Sequence, residues 1–584
     1  MKRTTILLSV LVALSMILAA CQTATDTPAA SSGGAADGPT ATVMEFPRNE
    51  TLYTGGTQWG PPTGFNPWNL GNYAMGTFGL CYEPLFTYDP LADEFTPWLA
   101  ESGAWISDTV YEVKVRQGIQ WSSGDPFSAV DVKATFDIAH EAPVSISPVW
   151  AFLGSVDLVD DYTVQFTFSE ALYQRWSNYL YTTPIISQVR WQDKSVEEIT
   201  SGINPDPECT GPYVPEALEQ DRVVWVRAPG WWATEVYGLD PKPTRIVDIV
   251  NSSNNVALGL VVQGGLDLSN HFLPGMASII EGGYGITTYY PDSPYHLSAN
   301  TAWLLLNTQI APMDDPAFRK AVAFAIDTDQ IVNVVYGGMV MKADPSGLLP
   351  AWEQYIDHDV IAELGFSYDP DQARAILAEA GYKDVDGDGF VEAPDGSEIE
   401  LSVIVPNGWS DWMESIRVVA NGCQAVGINV TTEFPDFPAY LDAQNNGTFE
   451  MMINNGAQFS NTPWSYYNWM AQNPVADIAT IQNGNYGRYD NQAVFDLVDQ
   501  LDQVPTDDVE GMRAVTSQLQ RAFLTDLPLI PLWYNGMWAQ VNNTYWTNWP
   551  SSADGAGHWT PSSWRGYWNM TAIRMLSDLE PVQP

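Results

Sequence analysis

The sequence predicts a mixed α/β fold spread over several domains. Three observations predict it. Short segments alternate apolar and polar residues with the period of a strand, and longer segments carry helical stripes between caps and stops. The third is length: 584 residues exceed what one hydrophobic core organises. No segment recurs at a period of roughly 20–50 residues, so a solenoid or propeller is not expected.

In chain order, MKRTTILLSVLVALSMILAAC comes first. Lys2 and Arg3 precede an apolar run too short for a stable span, and small residues lead to Cys21, which is signal-peptide logic. Leu18-Ala19-Ala20-Cys21 resembles a bacterial lipobox, in which the cysteine is lipidated and becomes the mature N-terminus; an ordinary signal peptide with an incidental cysteine is the alternative. Each buried acyl methylene adds about 0.8 kcal/mol, so more than one chain on Cys21 anchors stably. Residues 22–45 are rich in Ala, Ser, Thr and Gly and read as a flexible tether. The expectation is an extracytoplasmic protein tied to a membrane as a lipoprotein without crossing it.

Further along, TVYEVKVRQ alternates Tyr111, Val113 and Val115 on one face, and YTVQFTFS alternates Val164, Phe166 and Phe168. In WSSGDPFSA, Gly124 and Pro126 make a turn and Ser128 caps the helix that follows, so Trp121 is read as structural. MDDPAFRKAVAFAIDTDQIVNVVYGG reads as two consecutive helices, the second closing at Gly337. YDPDQARAILAEAGY carries Asp369 as cap, Pro370 in the first turn, a stripe of Ala373, Ile376, Leu377 and Ala380, and Gly381 as stop. LSVIVP ends a strand at Pro406, and SDWMESIRVVANGC begins a helix with Ser410 as cap.

The formal charge is −46, and removal of Lys2 and Arg3 leaves −48. That field repels phosphate backbones and no basic patch opposes it, so nucleic acid is excluded as a partner. Beyond Cys21, the cysteines are Cys81, Cys209 and Cys423. Three cannot all pair; one bridge and three buried thiols both stand open.

The segment YEVKVRQGIQWSSGDPFSAVDVKATFDIA (111–139), with Arg116, Trp121, Gly124, Asp125, Pro126, Ala129, Asp131 and Val132, resembles the hallmark of the family 5 extracellular solute-binding proteins. Further matches follow in family order: TGPYV at 210, GGLDLS at 264, LLLNT at 304, FRKAVAFAID at 318, YDPDQARAILAEAGY at 368 and GIN at 427. The likeness spans about residues 46–575. It implies a two-lobed periplasmic-binding-protein-like fold of type II with an additional inserted domain, closing by a hinge around its ligand. From the family layout, lobe I combines 46–84, 212–300 and 530–575, the inserted domain II is 85–211, and lobe III is 301–529. The implied partners are the permease subunits of an ABC importer, and a monomer is expected.

Enzyme signals are thin. HExxH, GxSxG, a P-loop and a Rossmann glycine fingerprint are all missing, and the histidines at 140, 271, 296, 358 and 558 lack metal-ligand spacing. With 70 acidic residues, a carboxylate pair that imitates a glycosidase keeps a secreted hydrolase as a distant alternative. DVDGDGFVEAPD resembles an EF-type loop. Asp384, Asp386 and Asp388 take positions 1, 3 and 5, the Phe390 carbonyl position 7, Glu392 position 9 and Asp395 position 12. An aspartate in the last position reaches less well than glutamate, so a structural calcium there would be weak, about 10⁻⁴ to 10⁻³ M. An acidic surface turn without an ion is the alternative. No other cofactor is expected.

The tryptophans carry the ligand reading. TQWGPPTGFNPW, GWSDW, NTPWSYYNW and PLWYNGMW frame indoles with Asn, Gly, Ser and Thr rather than aliphatic residues. Sugar rings present C–H faces to a flat indole and hydroxyls to amides, so Trp59, Trp409, Trp412, Trp464, Trp533 and Trp538, with Asn66, Asn254, Asn270 and Asn535, are the expected ligand contacts. Trp409 ranks first because it precedes a helix on a strand-to-helix loop, where α/β folds place ligands. Peptide-binding members usually carry an Asp after a Trp for the α-ammonium. FEMMINNGAQFSNTPWSYYNW has Asn454, Asn455 and Asn461 instead, and an unpaired buried ammonium is costly. The expected function is therefore capture of an oligosaccharide, with GWSDW and WYNGMW resembling the cello-oligosaccharide branch; a peptide receptor is the alternative.

Overall fold

The computed structural model describes residues 46–55, 60–69, 73–251, 253–457, 459–552 and 572–582. The signal segment, Cys21, the tether and Trp59 lie outside them. Among the described residues, no helix is long and apolar enough to cross a membrane.

Three sheets of four or more strands organise the described residues. The first has seven strands, in the order Ile286–Thr288, Gln540–Asn542, Leu268–Ser269, Thr51–Gly55, Arg245–Ile249, Arg222–Arg227 and Tyr213–Leu218. Thr51–Gly55 pairs in parallel with both of its neighbours and is buried throughout, as a strand covered on both faces must be. The helix Asn254–Val262 forms part of the connection between Arg245–Ile249 and Leu268–Ser269.

The second sheet has six strands, in the order Met341–Lys342, Leu529–Met537, Leu297–Leu306, Met451–Asn454, Leu401–Ile404 and Val430–Glu433. Leu297–Leu306 runs antiparallel to Leu529–Met537, from Leu297 opposite Met537 to Leu305 opposite Leu529. Strand pairing thus puts residues 297–300 and 530–537, expected with lobe I, in this sheet instead. Leu401–Ile404 pairs in parallel on both sides, and the helix Ser410–Ala425 follows it.

The third sheet is antiparallel, in the order Ala100–Ser107, Val110–Val115, Thr163–Phe168 and Leu153–Asp160. Its alternation is as the sequence predicts: Tyr111, Val113, Val115, Val164, Phe166 and Phe168 are buried. They face the helices Ala129–Glu141 and Tyr173–Thr182, with Phe136 edge-on to Phe166 at 5.0 Å and Trp176 4.6 Å from the same ring. Ser128 caps the first helix in a capping box with Asp131.

Asp369 caps Pro370–Ala380, and Gly381 ends it at φ +94°, a left-handed conformation that suits glycine. Cys81 and Cys209 form a disulfide across 128 residues, and Cys423 is a buried thiol. The second helix expected before Gly337 is only part α: Thr328–Gln330 runs into a π-helical turn, Ile331–Val335, that ends at Tyr336. Such turns recur at functional sites because they re-aim one side chain.

Candidate functional site

The strand Leu401–Ile404 delivers the chain through Pro406 and Gly408 to Trp409. Trp409 occupies the N-cap position with no side-chain cap, and Ser410 is the first helical residue rather than the cap. Met413 N–H bonds the Trp409 carbonyl at 2.9 Å, so the Trp409 main chain is held at the mouth of the helix. Trp409 is half-buried. Trp412 is 4 % exposed and meets Trp409 edge-on at 4.8 Å, which makes it the brace for its neighbour. Trp409 also stacks on the exposed Phe437 at 5.7 Å, and Phe437 continues to Tyr440 at 6.3 Å.

Asp411, between the two tryptophans, is buried. Its Oδ2 accepts the Tyr336 hydroxyl at 3.1 Å and its Oδ1 accepts Asn254 Nδ2 at 3.3 Å. Asn254 also reaches Ser410 Oγ at 3.4 Å. Asn254 opens the helix Asn254–Val262 of the seven-stranded sheet, and Ser410 opens Ser410–Ala425 of the six-stranded sheet. Two helix N-termini, one from each sheet, therefore meet at one carboxylate, which their dipoles favour. Burial raises the Asp411 carboxyl to about 6, against the hydrogen bonds from Tyr336 and Asn254.

Tyr336 carries the contact onward. Its ring lies parallel to Trp538 at 6.1 Å and is 5.1 Å from Trp533. Trp538 is half-buried, edge-on to Phe272 at 5.3 Å and to His296 at 5.1 Å, and its carbonyl accepts the Asn270 amide. Burial lowers His296 to about 3, so the imidazole is neutral. Trp533 is fully buried and donates to Asn535 Oδ1 at 3.4 Å. Asn535 stands opposite Asn300, whose Oδ1 accepts from Asn455 at 3.2 Å.

The structure thus brings Asn254, Asn270, Trp409, Trp412, Trp533, Asn535 and Trp538 into one connected cluster between the two large sheets. Asn66 and Trp464 are elsewhere. Asn66 is buried and gives both amide hydrogens to the Ile199 and Gly202 carbonyls, at 2.9 and 2.8 Å, while its oxygen accepts Trp68 N–H. That fixes a turn rather than a ligand. Trp464 is buried under the Arg175 guanidinium, 5.3 Å from its ring. Tyr336, Phe272, His296 and Asn300 join the cluster unannounced by the sequence. The one available signal was Tyr336 at the end of a helix, before Gly337 and Gly338. Two cavities of about 490 Å³ lie away from the cluster, one beside Thr287, Asn543 and Trp549, the other beside Arg116, Trp231 and Trp232.

In the acidic loop, carboxylate oxygens of Asp384, Asp386 and Asp388 lie within 4.8 Å of one another, all exposed. Asp384 accepts Gly387 and Gly389 N–H at 2.7 and 3.1 Å, and Asp388 accepts Phe390 N–H at 2.8 Å. Glu392 is buried and turns to Val385 N–H, and Asp395 turns to Ser397, so neither stands in the cluster.

Residues 94–477 match the family described as bacterial extracellular solute-binding proteins, family 5. The chain belongs to that family. Family 5 proteins are solute-binding proteins of transport rather than enzymes, so membership gives the hydrolase reading no support. A crystal structure of a mannohexaose-bound periplasmic oligopeptide-binding protein of an oligopeptide ABC transporter from Thermotoga maritima is 42% identical. It covers 92% of this chain and 100% of its own, with a TM-score of 0.87. The oligopeptide-binding protein AppA of Bacillus subtilis, in complex with a nonapeptide, is 19% identical over 91% of this chain and 99% of its own, with a TM-score of 0.72; it speaks for the two-lobed fold alone. The glutathione-binding protein GsiB of Shigella flexneri is 27% identical over 314 residues, 53% of this chain. The chain spans about half the length of that relative, 56%.

Proposed function

We propose that this family 5 protein captures an oligosaccharide between its lobes and delivers it to the permease subunits of an ABC importer, tethered to the membrane through a lipidated Cys21. The observation that carries the sugar reading is the half-buried Trp409 indole, braced by Trp412 and extended by Phe437. A flat aromatic shelf beside the amide of Asn254 suits a ring with apolar faces and a hydroxyl rim. The mannohexaose bound by the Thermotoga maritima relative supports a hexose oligosaccharide, and cello-oligosaccharides share that chemistry. Trp538, with Asn270 behind it, is read as the second shelf, reached when the lobes part. Trp533 and Asn535 support it from below.

The peptide alternative has one observation in its favour. Asp411 is a buried carboxylate in the cluster, the group an α-ammonium seeks. It already holds Asn254 and Tyr336, which is why the sugar reading is preferred. Thermal melts with manno-, cello- and xylo-oligosaccharides, di- to nonapeptides and glutathione decide between them. Ligand at 100 times its Kd adds about 2.7 kcal/mol of stability. A shift with a peptide and none with any sugar would overturn the proposal. The loop of Asp384, Asp386 and Asp388 is read as a weak structural calcium site with no part in ligand capture.

A further inference from the structure

The 85–211 segment touches both large sheets, and its two contacts differ in kind. Toward the seven-stranded sheet it is stapled. The Cys81–Cys209 disulfide closes its neck. Beside it, the fully buried Glu83 carboxylate accepts three indole N–H groups: Trp98 at 2.8 Å from inside the segment, and Trp231 at 3.2 Å and Trp232 at 2.9 Å from beyond it. Moving the segment here would strip a buried charge of three donors and strain a covalent link.

Toward the six-stranded side the contact is non-covalent and centres on the helix Tyr173–Thr182, with Tyr88 stacked on Phe459 at 6.3 Å and Glu170 accepting Gln503 Nε2 at 3.2 Å beside it. Gln174 Nε2 donates to the Val504 carbonyl at 2.7 Å. Arg175 N–H donates to Asp502 Oδ1 at 2.8 Å, and its guanidinium pairs with Oδ2 of the same carboxylate at 2.8 Å. Asn461 donates to Ser177 Oγ at 3.1 Å. The Asp502 side chain is 0 % exposed and Arg175 25 %, so the pair opens from the arginine side.

A ligand entering between the lobes must part Asn254 from Asp411, and that rotation must also break one of the two contacts of the 85–211 segment. The stapled one cannot give. We propose that the Tyr173–Thr182 helix is a closure clamp: the segment travels with the seven-stranded sheet, and Arg175 re-forms its pair with Asp502 each time the lobes shut. Arg175 is then a positioning residue that sets ligand residence time without touching the ligand. This rests on the two-lobed capture read above.

The test uses the full chain with fluorophores on two introduced cysteine pairs at exposed positions. Ile203→Cys with Val385→Cys spans the clamp, and Ile203→Cys with Val236→Cys spans the staple. Arg175→Gln and Asp502→Asn are each expected to raise the ligand-free population of the open, low-transfer state across the first pair at least fivefold. The second pair should not change. With mannohexaose as probe, Arg175→Gln should speed dissociation at least fivefold and leave association unchanged. A change at the staple pair, or none at the clamp pair in either variant, overturns the clamp. If mannohexaose fails to bind the unsubstituted protein, the sugar reading fails, and the ligand-free transfer measurement still decides the clamp. Melting each variant identifies one that has simply lost its fold, and the other then carries the test.

Discussion

Replacing Trp409 with alanine separates a ligand shelf from a core brace. The side chain is half-buried, and its ring contacts include Trp412 at 4.8 Å and Phe437 at 5.7 Å. Each such pair contributes about 0.5–1.5 kcal/mol beyond area burial, so the two pairs account for about 1–3 kcal/mol of fold stability on top of the area the half-buried side chain covers. A fully buried tryptophan would cost about 3–5 kcal/mol. If a sugar ring stacks on the Trp409 indole, the substitution also removes that stacking, and affinity should fall at least tenfold, or about 1.4 kcal/mol. Titration calorimetry with the sugar found in the melting panel measures the second quantity, and denaturant unfolding of the same preparation the first. Unchanged affinity together with a loss at the upper, core-like end would refute the reasoning and make the pair part of the core.

Trp412→Ala should reverse the balance, costing about 3–5 kcal/mol of stability because the side chain is buried, with affinity falling only through the misplaced Trp409; equal stability losses at the two positions would remove the distinction. Burial raises Glu83 to about 7, so the folded state binds that proton more tightly than the unfolded chain and its stabilisation is lost as pH rises toward 7. Between pH 8 and pH 6 the wild type should therefore gain more in Tm than Glu83→Gln does, and equal gains would place the titration elsewhere. Calcium at millimolar concentration should raise Tm slightly through Asp384, Asp386 and Asp388, and chelator should reverse it without altering sugar affinity. An Asp386→Asn variant that responds just as strongly would move the ion to another place.

Local rules gave the elements, and distance hid the site. The alternation of Tyr111, Val113 and Val115 and the caps Ser128 and Asp369 are readable because strand faces and helix ends are set within a few residues. Trp409 was legible for the same reason: a strand, a glycine turn and a helix start place it on a crossover loop. The 410 position was misread because a serine before a helix looks like a cap, whereas the helix begins at the serine itself and the N-cap is Trp409. Asn66 and Trp464 show the limit of composition. Both sit in polar, aromatic stretches, yet each has a partner 133 or more residues away in sequence, Ile199 for Asn66 and Arg175 for Trp464. The pairing of Asp411 with Asn254 joins positions 157 apart, and no local pattern announces it. The same holds for Cys81 and Cys209, where counting cysteines left the pairing open.

Native mass spectrometry of the protein with an equimolar mixture of mannohexaose, cellohexaose and a nonapeptide tests the central claim most directly. The account predicts a single added mass equal to one hexasaccharide, displaced when Trp409 is alanine. An added mass equal to the peptide, retained in Trp409→Ala, would contradict it.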